Sequence, residues 1–169
     1  MPDADHIDRL RAQWAAELPD VDTQGMAVLG RARRIVLQSR PAIEAVFARH
    51  GVDTGEFDVL TTLMRMGPPY ALRPTELYRS LRISSGGLTD RLNRLQRAEL
   101  ISRPPSPEDR RSQLVQLTAE GRDKVEAAFR ENMAVEARLL APLEPADRQA
   151  LADLLRKLAL AMTPDDVGG

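Results

Sequence analysis

The order of the short elements between residues 73 and 118 constrains the fold of this chain more than any other feature. Pro74 suits the first turn of a helix, and a tight turn at Arg82-Ile83 separates that helix from a second one, which Ser84 can cap. The second helix is polar or glycine on most of its surface and has one narrow apolar ridge, formed by Leu88, Leu92 and Leu95. Two short helices joined by a tight turn, with a single ridge on the second, predict a helix-turn-helix.

A β-hairpin is predicted directly after these helices. Residues 100–103 and 113–117 contain the aliphatic and β-branched side chains of two short strands, which the segment PPSPEDRRS connects. Three prolines stiffen the tip of the hairpin, and its far end carries three charged residues, Asp109, Arg110 and Arg111. A stiff hairpin with a charged tip is what a DNA-touching wing requires. The predicted fold class is therefore mainly α with a small β-hairpin wing, a winged helix-turn-helix.

Three helices are predicted before the helix-turn-helix and its wing. The first covers residues 3–18, with Asp3 able to cap its start. The second covers residues 23–49, and Pro41 predicts a kink or a break just before it. The third, for which Thr54 is a plausible cap, carries two apolar stripes and is therefore expected to be mostly buried.

Two helices are predicted after the hairpin, over residues 119–140 and 145–162. The second of them carries leucines at strict helical spacing, at positions 151, 154, 155 and 158. A lone winged helix cannot cover these apolar faces together with that of the N-terminal helix, so a second copy of the chain is expected to bury them. The predicted assembly is an isologous homodimer that is joined through the N- and C-terminal helices.

Four regions follow from this pattern, and one modest core is expected for a chain of 169 residues. They are N-terminal helices for dimerisation and a ligand pocket (1–50), a winged helix-turn-helix core (51–118), C-terminal dimerisation helices (119–163) and a disordered tail (164–169).

The charge distribution indicates a polyanionic partner although the whole chain is close to neutral. Residues 73–111 contain nine arginines and five acidic residues, a net charge of +4. The formal charge of the entire chain is −1, so the remainder carries −5. Basic charge concentrated in one block is expected where that block meets phosphate.

The composition excludes several classes of protein. The absence of cysteine removes disulfides, thiolate nucleophiles and thiol-based redox sensors. The two histidines, His6 and His50, have no neighbours at metal-ligand spacing, and no catalytic signature is found, so we expect no metal site, no cofactor and no enzyme. No apolar run is long enough to span a bilayer and the first residues are acidic, so we expect a cytoplasmic protein.

One face of the helix that follows Ser84 is a candidate DNA-contacting surface. With the leucine ridge facing inward, a projection at about 100° per residue turns the opposite, mostly polar face outward. On that face Asn93 can pair with adenine, the serine and threonine hydroxyls can reach base edges, and the arginines suit phosphate or guanine. The alternative is an ordinary solvated face with scattered arginines. The candidate residues, including the helix before and the wing tip, are Thr75, Ser84, Ser85, Gly86, Thr89, Asn93, Arg94, Arg97, Asp109, Arg110 and Arg111.

Arg91 projects about 60° from the centre of the leucine ridge, so it belongs neither to the core nor to the groove-facing surface. We expect it to point at another part of the protein. It is either one partner in a structural salt bridge or a lever that connects the second helix to a sensing site.

Residues 73–122 resemble the multiple-antibiotic-resistance regulator (MarR) family, with an Asp-x-Arg wing followed by Leu-Thr-x-x-Gly. The resemblance implies that Asp109 orients Arg111, which enters the minor groove, and that Thr118 caps the helix after the wing. The family pattern often has glycine in the turn of the helix-turn-helix, where this chain has Arg82.

Nearly the whole chain resembles the urate-responsive branch of that family. The segments DHIDRLRAQW and GEFDVLTTL carry a tryptophan and an aspartate of the branch's ligand set, and two arginines complete it. The resemblance therefore implies a ligand site of Trp14, Asp58, Arg91 and Arg103. Taken singly, Trp14 could equally be packing, Asp58 a favourable charge in a first helical turn, and Arg103 a phosphate contact at the base of the wing.

These features lead to one hypothesis with two rivals. In the first, Asp58 and Arg91 attract one another in a repressor bound to a pseudo-palindromic operator, and an anionic purine such as urate disturbs that pairing so that DNA is released. In the second, the same fold responds to a phenolic compound or an antibiotic. In the third, the winged helix is a dimeric protein-interaction module that does not bind DNA.

Overall fold

The computed structural model describes residues 4–81, 85–107 and 112–162, with only the backbone described at Ser85 and Gly86. The helices are α1 (His6–Glu17), a π-helical turn (Met26–Gly30) that leads into α2 (Arg31–Arg49), α3 (Thr54–Arg65), α4 (Pro74–Leu81), α5 (Ser85–Arg97), α6 (Ala119–Leu139) and α7 (Pro145–Ala161). The strands are β1 (Ala71–Leu72), β2 (Ile101–Ser102) and β3 (Val115–Leu117). The predicted fold class, mainly helical with a small β wing, is confirmed.

The three strands form one antiparallel sheet in the order β1-β3-β2. Ile101 lies opposite Leu117, and Leu72 lies opposite Val115. The hairpin of β2 and β3 was predicted, but β1 was not, because two residues are too few to show an alternating pattern. The tight turn at 82–83, the cap at Ser84, the charged wing tip at 109–111 and the tail at 164–169 lie outside the described residues.

Two helix caps differ from the predicted ones. α1 begins at His6 and is capped by Asp5, not Asp3, and α3 is capped by Asp53, not Thr54. In α3 the side chain of Asp53 accepts a hydrogen bond from the Glu56 backbone N–H at 2.7 Å, and the Glu56 side chain accepts one from the Asp53 N–H at 2.9 Å. A carboxylate followed three residues later by another acid forms this reciprocal capping box, which a lone threonine cannot form.

The predicted kink or break at Pro41 is not a break, because α2 continues through it from Arg31 to Arg49. Proline removes the hydrogen bond to the carbonyl four residues earlier, here that of Leu37. Leu37 and Pro41 are both exposed, so water can satisfy that carbonyl. The buried Val46 and Phe47 of the same helix join the main core, which holds the part of the helix after the proline in place.

The core is built where α3, α5, α6 and the sheet meet. The predicted ridge of Leu88, Leu92 and Leu95 is buried there. It packs with α3, which is mostly buried as its two stripes predict, and with the strands and α6 through Leu100, Val115 and Val125. Because the ridge is buried, the opposite face of α5 points away from the protein.

The two ends of the chain remain uncovered. Every described residue of α7 lies outside the core, and Leu160 is 80% exposed. The N-terminal apolar residues include Trp14, which is 48% exposed, together with Leu18 and Val21. These surfaces are those that sequence patterning assigned to a second copy of the chain. No helix within the described ranges is long and apolar enough to cross a membrane.

Candidate nucleic-acid interface and ligand site

The outward face of α5 presents Thr89, Asn93 and Arg97, all exposed and none on the leucine ridge. The exposed Thr75 of α4 lies beside this face, since Thr75 and Thr89 both line an open cavity of about 280 Å³ between the two helices. The structure thus brings together candidate DNA-contacting residues from both helices of the helix-turn-helix. The structure does not describe Ser84, residues 109–111 or the side chain of Ser85, and it describes Gly86 by its backbone alone.

Arg94 is directed toward α3 and not toward the groove side of α5. Its Nε donates to Glu56 Oε1 at 2.6 Å, and its Nη2 donates to Asp53 Oδ2 at 2.9 Å. The hydrogen bond to Glu56 and the charges of both carboxylates raise the pKa of the Arg94 guanidinium above its ordinary value. The helical projection placed Arg94 outward because it considered one helix alone. The partners come from a segment 38 to 41 residues earlier in the chain.

Arg91 also faces the first turn of α3. A Cβ atom added to Gly55 would lie 2.7 Å from Arg91 Nη2 and would overlap Cζ and Nε, so the guanidinium lies directly against the glycine. Such a close approach requires a residue without a side chain. Arg91 therefore points at another part of the protein, as the projection predicts.

Asp58 lies one turn further along α3 and is electrostatically linked to Arg91. Partial burial raises the pKa of the Asp58 carboxyl above its ordinary value, while the charges of Arg91 and Arg65 act to lower it. The structure describes both Asp58 and Arg91 and shows no ion pair within 4.0 Å between them. The two residues therefore attract one another without a direct salt bridge.

Arg103 follows β2 and reaches back to α5, where its Nη2 donates to Asn93 Oδ1 at 2.8 Å. Its Nε is buried without a hydrogen-bond partner. Asn93 and Arg91 are two residues apart, or about 200° around the helix, so Arg103 contacts a side of α5 different from the side that carries Arg91. A contact between the base of the wing and the groove-facing residue Asn93 was not foreseen from the sequence.

Trp14, the remaining candidate ligand residue, lies in α1. It lines an open cavity of about 410 Å³ with residues of α1 and of the segment that follows it, among them Leu18, Val21 and Met26. Asp58, Arg91 and Arg103 are not among the residues that line this cavity. The structure thus links Asp58 with Arg91 and Arg103 with Asn93, while Trp14 lines a cavity to which none of the other three contributes. Within the described residues no group of three or more metal-ligand side chains is found.

The resemblance also implied that Thr118 caps the helix after the wing, and this is confirmed. Thr118 Oγ1 accepts a hydrogen bond from the Gly121 N–H at 2.9 Å and donates one to the Glu99 carbonyl at 2.7 Å. The cap therefore joins the start of α6 to the end of the helix-turn-helix.

Comparison with known proteins agrees with this architecture. The MarR family model matches residues 50–112. The HTH-type transcriptional regulator PecS of Dickeya dadantii is 36% identical over 146 residues, which cover 86% of this chain and 88% of PecS.

Two solved structures have the same fold. A variant of MarR from E. coli complexed with operator DNA superposes with a TM-score of 0.68 at 24% identity, covering 82% of this chain and 99% of that one. BpsR of Bordetella bronchiseptica superposes with a TM-score of 0.67 at 26% identity, covering 80% of this chain and 94% of that one. Its structure concerns the regulation of its DNA binding by 6-hydroxynicotinic acid. Together with the buried ridge and the β wing, the extent of the match to PecS shows that this chain belongs to the MarR family of DNA-binding transcriptional regulators, which are not enzymes.

Proposed function

We propose that this chain is a homodimeric cytoplasmic repressor that binds a pseudo-palindromic operator and is released by a urate-like anion. The observation that carries the DNA-binding part is the outward row of Thr89, Asn93 and Arg97 on α5, opposite a buried leucine ridge. A helix held in this way offers its polar side to the major groove, and the hairpin beside it can follow the DNA backbone.

The proposed dimer rests on the uncovered ends of the chain. The exposed leucines of α7 and the apolar residues of α1 are too numerous for a free surface of a soluble monomer. A second copy related by a two-fold axis covers both sets at once. It also sets the two copies of α5 against half-sites about one helical turn apart on the operator.

The proposed ligand response acts through Asp58 and Arg91. In the free protein Arg91 of α5 lies on the first turn of α3 and attracts Asp58 without a direct salt bridge. An anion bound by Arg91 competes with this attraction, and α5 can then shift relative to α3. A ligand moves such an equilibrium only by its differential affinity for the two states, about 1–3 kcal/mol in typical cases, so we expect a tenfold to hundredfold loss of DNA affinity.

Arg103 and Trp14 enter the proposal through the resemblance, and the structure supports a role for Arg103 more directly. Its unpartnered Nε is a donor that an anion can satisfy, and its Nη2 contacts a groove-facing residue of α5. Trp14 belongs to a surface that the second copy would cover, so its surroundings in the dimer differ from those in a single chain.

Operator binding and release test this proposal. Duplex DNA selected by the protein from a random-sequence library serves as the operator, and fluorescence anisotropy measures its affinity with and without urate. We expect urate to weaken binding of the wild-type protein and to have little effect on Asp58→Asn. Asp123→Asn, which alters an exposed carboxylate on α6, is the matched control and should respond like the wild type.

Two results separate the parts of the proposal. If the protein selects no duplex even at low salt, DNA binding itself is refuted. If it binds DNA but urate has no effect, or if Asp58→Asn responds like the wild type, the ligand mechanism is wrong. Calorimetric titration with urate, xanthine, salicylate and 6-hydroxynicotinic acid then identifies the class of ligand.

A further inference from the structure

The first turn of α3 and the second half of α5 are joined by a compact ion cluster whose role goes beyond capping. We propose that Arg94 is a positioning residue for DNA recognition, which fixes the angle of α5 by bridging both carboxylates of the α3 capping box. This inference rests on the proposed function of α5 as the helix that enters the major groove.

The geometry divides the oxygens of the two carboxylates between two tasks. Asp53 Oδ1 and Glu56 Oε2 accept the reciprocal backbone hydrogen bonds that cap α3. The other oxygen of each carboxylate, Asp53 Oδ2 and Glu56 Oε1, accepts from Arg94. The same pair of side chains therefore caps the start of one helix and holds another, and the planar guanidinium meets them through two of its nitrogens.

Burial makes Glu56 depend on this contact more than Arg94 does. Glu56 is only 8% exposed, so its carboxylate has little access to water and depends on partners within the protein. The Arg94 side chain is 44% exposed and lies at the rim of the cluster. Removing Arg94 leaves a buried carboxylate without its cation, which favours any movement of α5 that admits water.

Arg91 adds a second point of contact one turn earlier on the same helix. Its guanidinium lies against Gly55, which stands between the two carboxylates in the sequence. Two arginines of α5 therefore contact the first turn of α3. Since Asn93 directly precedes Arg94 on the helix, the rotation that Arg94 sets also sets where this base-reading residue points.

A salt titration separates positioning from a phosphate contact. The slope of log affinity against log salt concentration falls by about 1 when a phosphate-contacting cation is lost. Loss of a positioning residue lowers affinity at every salt concentration and leaves the slope unchanged. The variants are Arg94→Met, Glu56→Gln and the control Arg97→Met, which removes a charge from the groove-facing side of the same helix.

Anisotropy with the library-selected operator measures each variant over a series of salt concentrations, and thermal unfolding confirms that each is folded. We expect Arg94→Met to weaken binding roughly tenfold or more, as for a lost charge-assisted hydrogen bond, with an unchanged slope. Glu56→Gln keeps the oxygen that caps α3 but loses the ion pair, and should weaken binding with the same unchanged slope. The double variant should be little weaker than either single one, and Arg97→Met should reduce the slope by about 1.

A reduced slope for Arg94→Met, or operator affinity in Glu56→Gln equal to or higher than that of the wild type, would overturn the inference while leaving DNA binding by α5 intact. If Arg94→Met does not fold, Glu56→Gln decides the question alone. A wild-type protein that selects no duplex refutes the proposed function and this inference with it.

Discussion

Gly121 in the first turn of α6 allows that helix to pack on the end of the helix-turn-helix, and Gly121→Ala should therefore destabilise the protein. A Cβ atom at this position would overlap the carbonyl oxygen of Leu100 and lie 2.9 Å from its carbonyl carbon. Carbon atoms in contact need about 3.5 Å, so the two backbones must separate by at least about 0.6 Å. Because the obstacle is backbone, no change of side-chain rotamer can relieve it.

The magnitude follows from three contributions. Overpacking at a buried site costs about 1–3 kcal/mol. The Thr118 N–H donates to the same Leu100 carbonyl at 3.1 Å, and weakening this hydrogen bond costs about 1 kcal/mol. Alanine returns about 1 kcal/mol as the better helix former. We expect a net loss of about 2 kcal/mol in the free energy of unfolding, or about 4–8 °C in Tm for a chain of this size.

Circular dichroism at one fixed protein concentration measures this loss, because the stability of a dimer depends on concentration. Gly25→Ala is the matched control, since Gly25 has helical backbone angles and a Cβ there meets nothing within 4 Å. It should be neutral or slightly stabilising. If Gly121→Ala proves as stable as Gly25→Ala, the glycine of the Leu-Thr-x-x-Gly motif is not required by packing and the reasoning fails.

Three other substitutions test separate contacts. Gly55→Ala should displace the Arg91 guanidinium, a flexible group, and so change the free energy of unfolding by less than about 1 kcal/mol. We expect it to bring the ratio of operator affinities with and without urate toward one, and an undiminished ratio would contradict a role for that contact. Asp5→Asn concerns acid stability: the capping hydrogen bond that Asp5 accepts, followed by the influence of Arg31, lowers its pKa from 3.8 to about 2. Its stabilising contribution is therefore complete above about pH 4 and disappears as the pH falls toward 2, so Asp5→Asn should flatten this part of an unfolding-against-pH curve, and an unaltered curve would rule the contribution out. Arg103→Met should release Asn93 and reduce the preference for the selected operator over random duplex in competition binding, whereas a loss confined to urate response would assign Arg103 to the ligand alone.

Local periodicity along the chain was enough to predict several parts of the fold. The spacing of Leu88, Leu92 and Leu95 was sufficient to identify the buried side of α5, because a helix repeats every 3.6 residues and its apolar side must be covered. The wing and the cap at Thr118 were also readable, since strand composition, prolines and a family motif lie within a short stretch.

The directions of three arginines in α5 and the wing, in contrast, depend on contacts that exist only in the folded chain. Arg91, Arg94 and Arg103 have long, flexible side chains, and each contacts a residue of a segment that the fold brings close. A helical projection gives the direction in which such a side chain leaves the backbone, but its end lies several ångströms further on. The partner of Arg94, the buried Glu56, is distant in sequence, and its need for a cation exists only after the core has removed it from water.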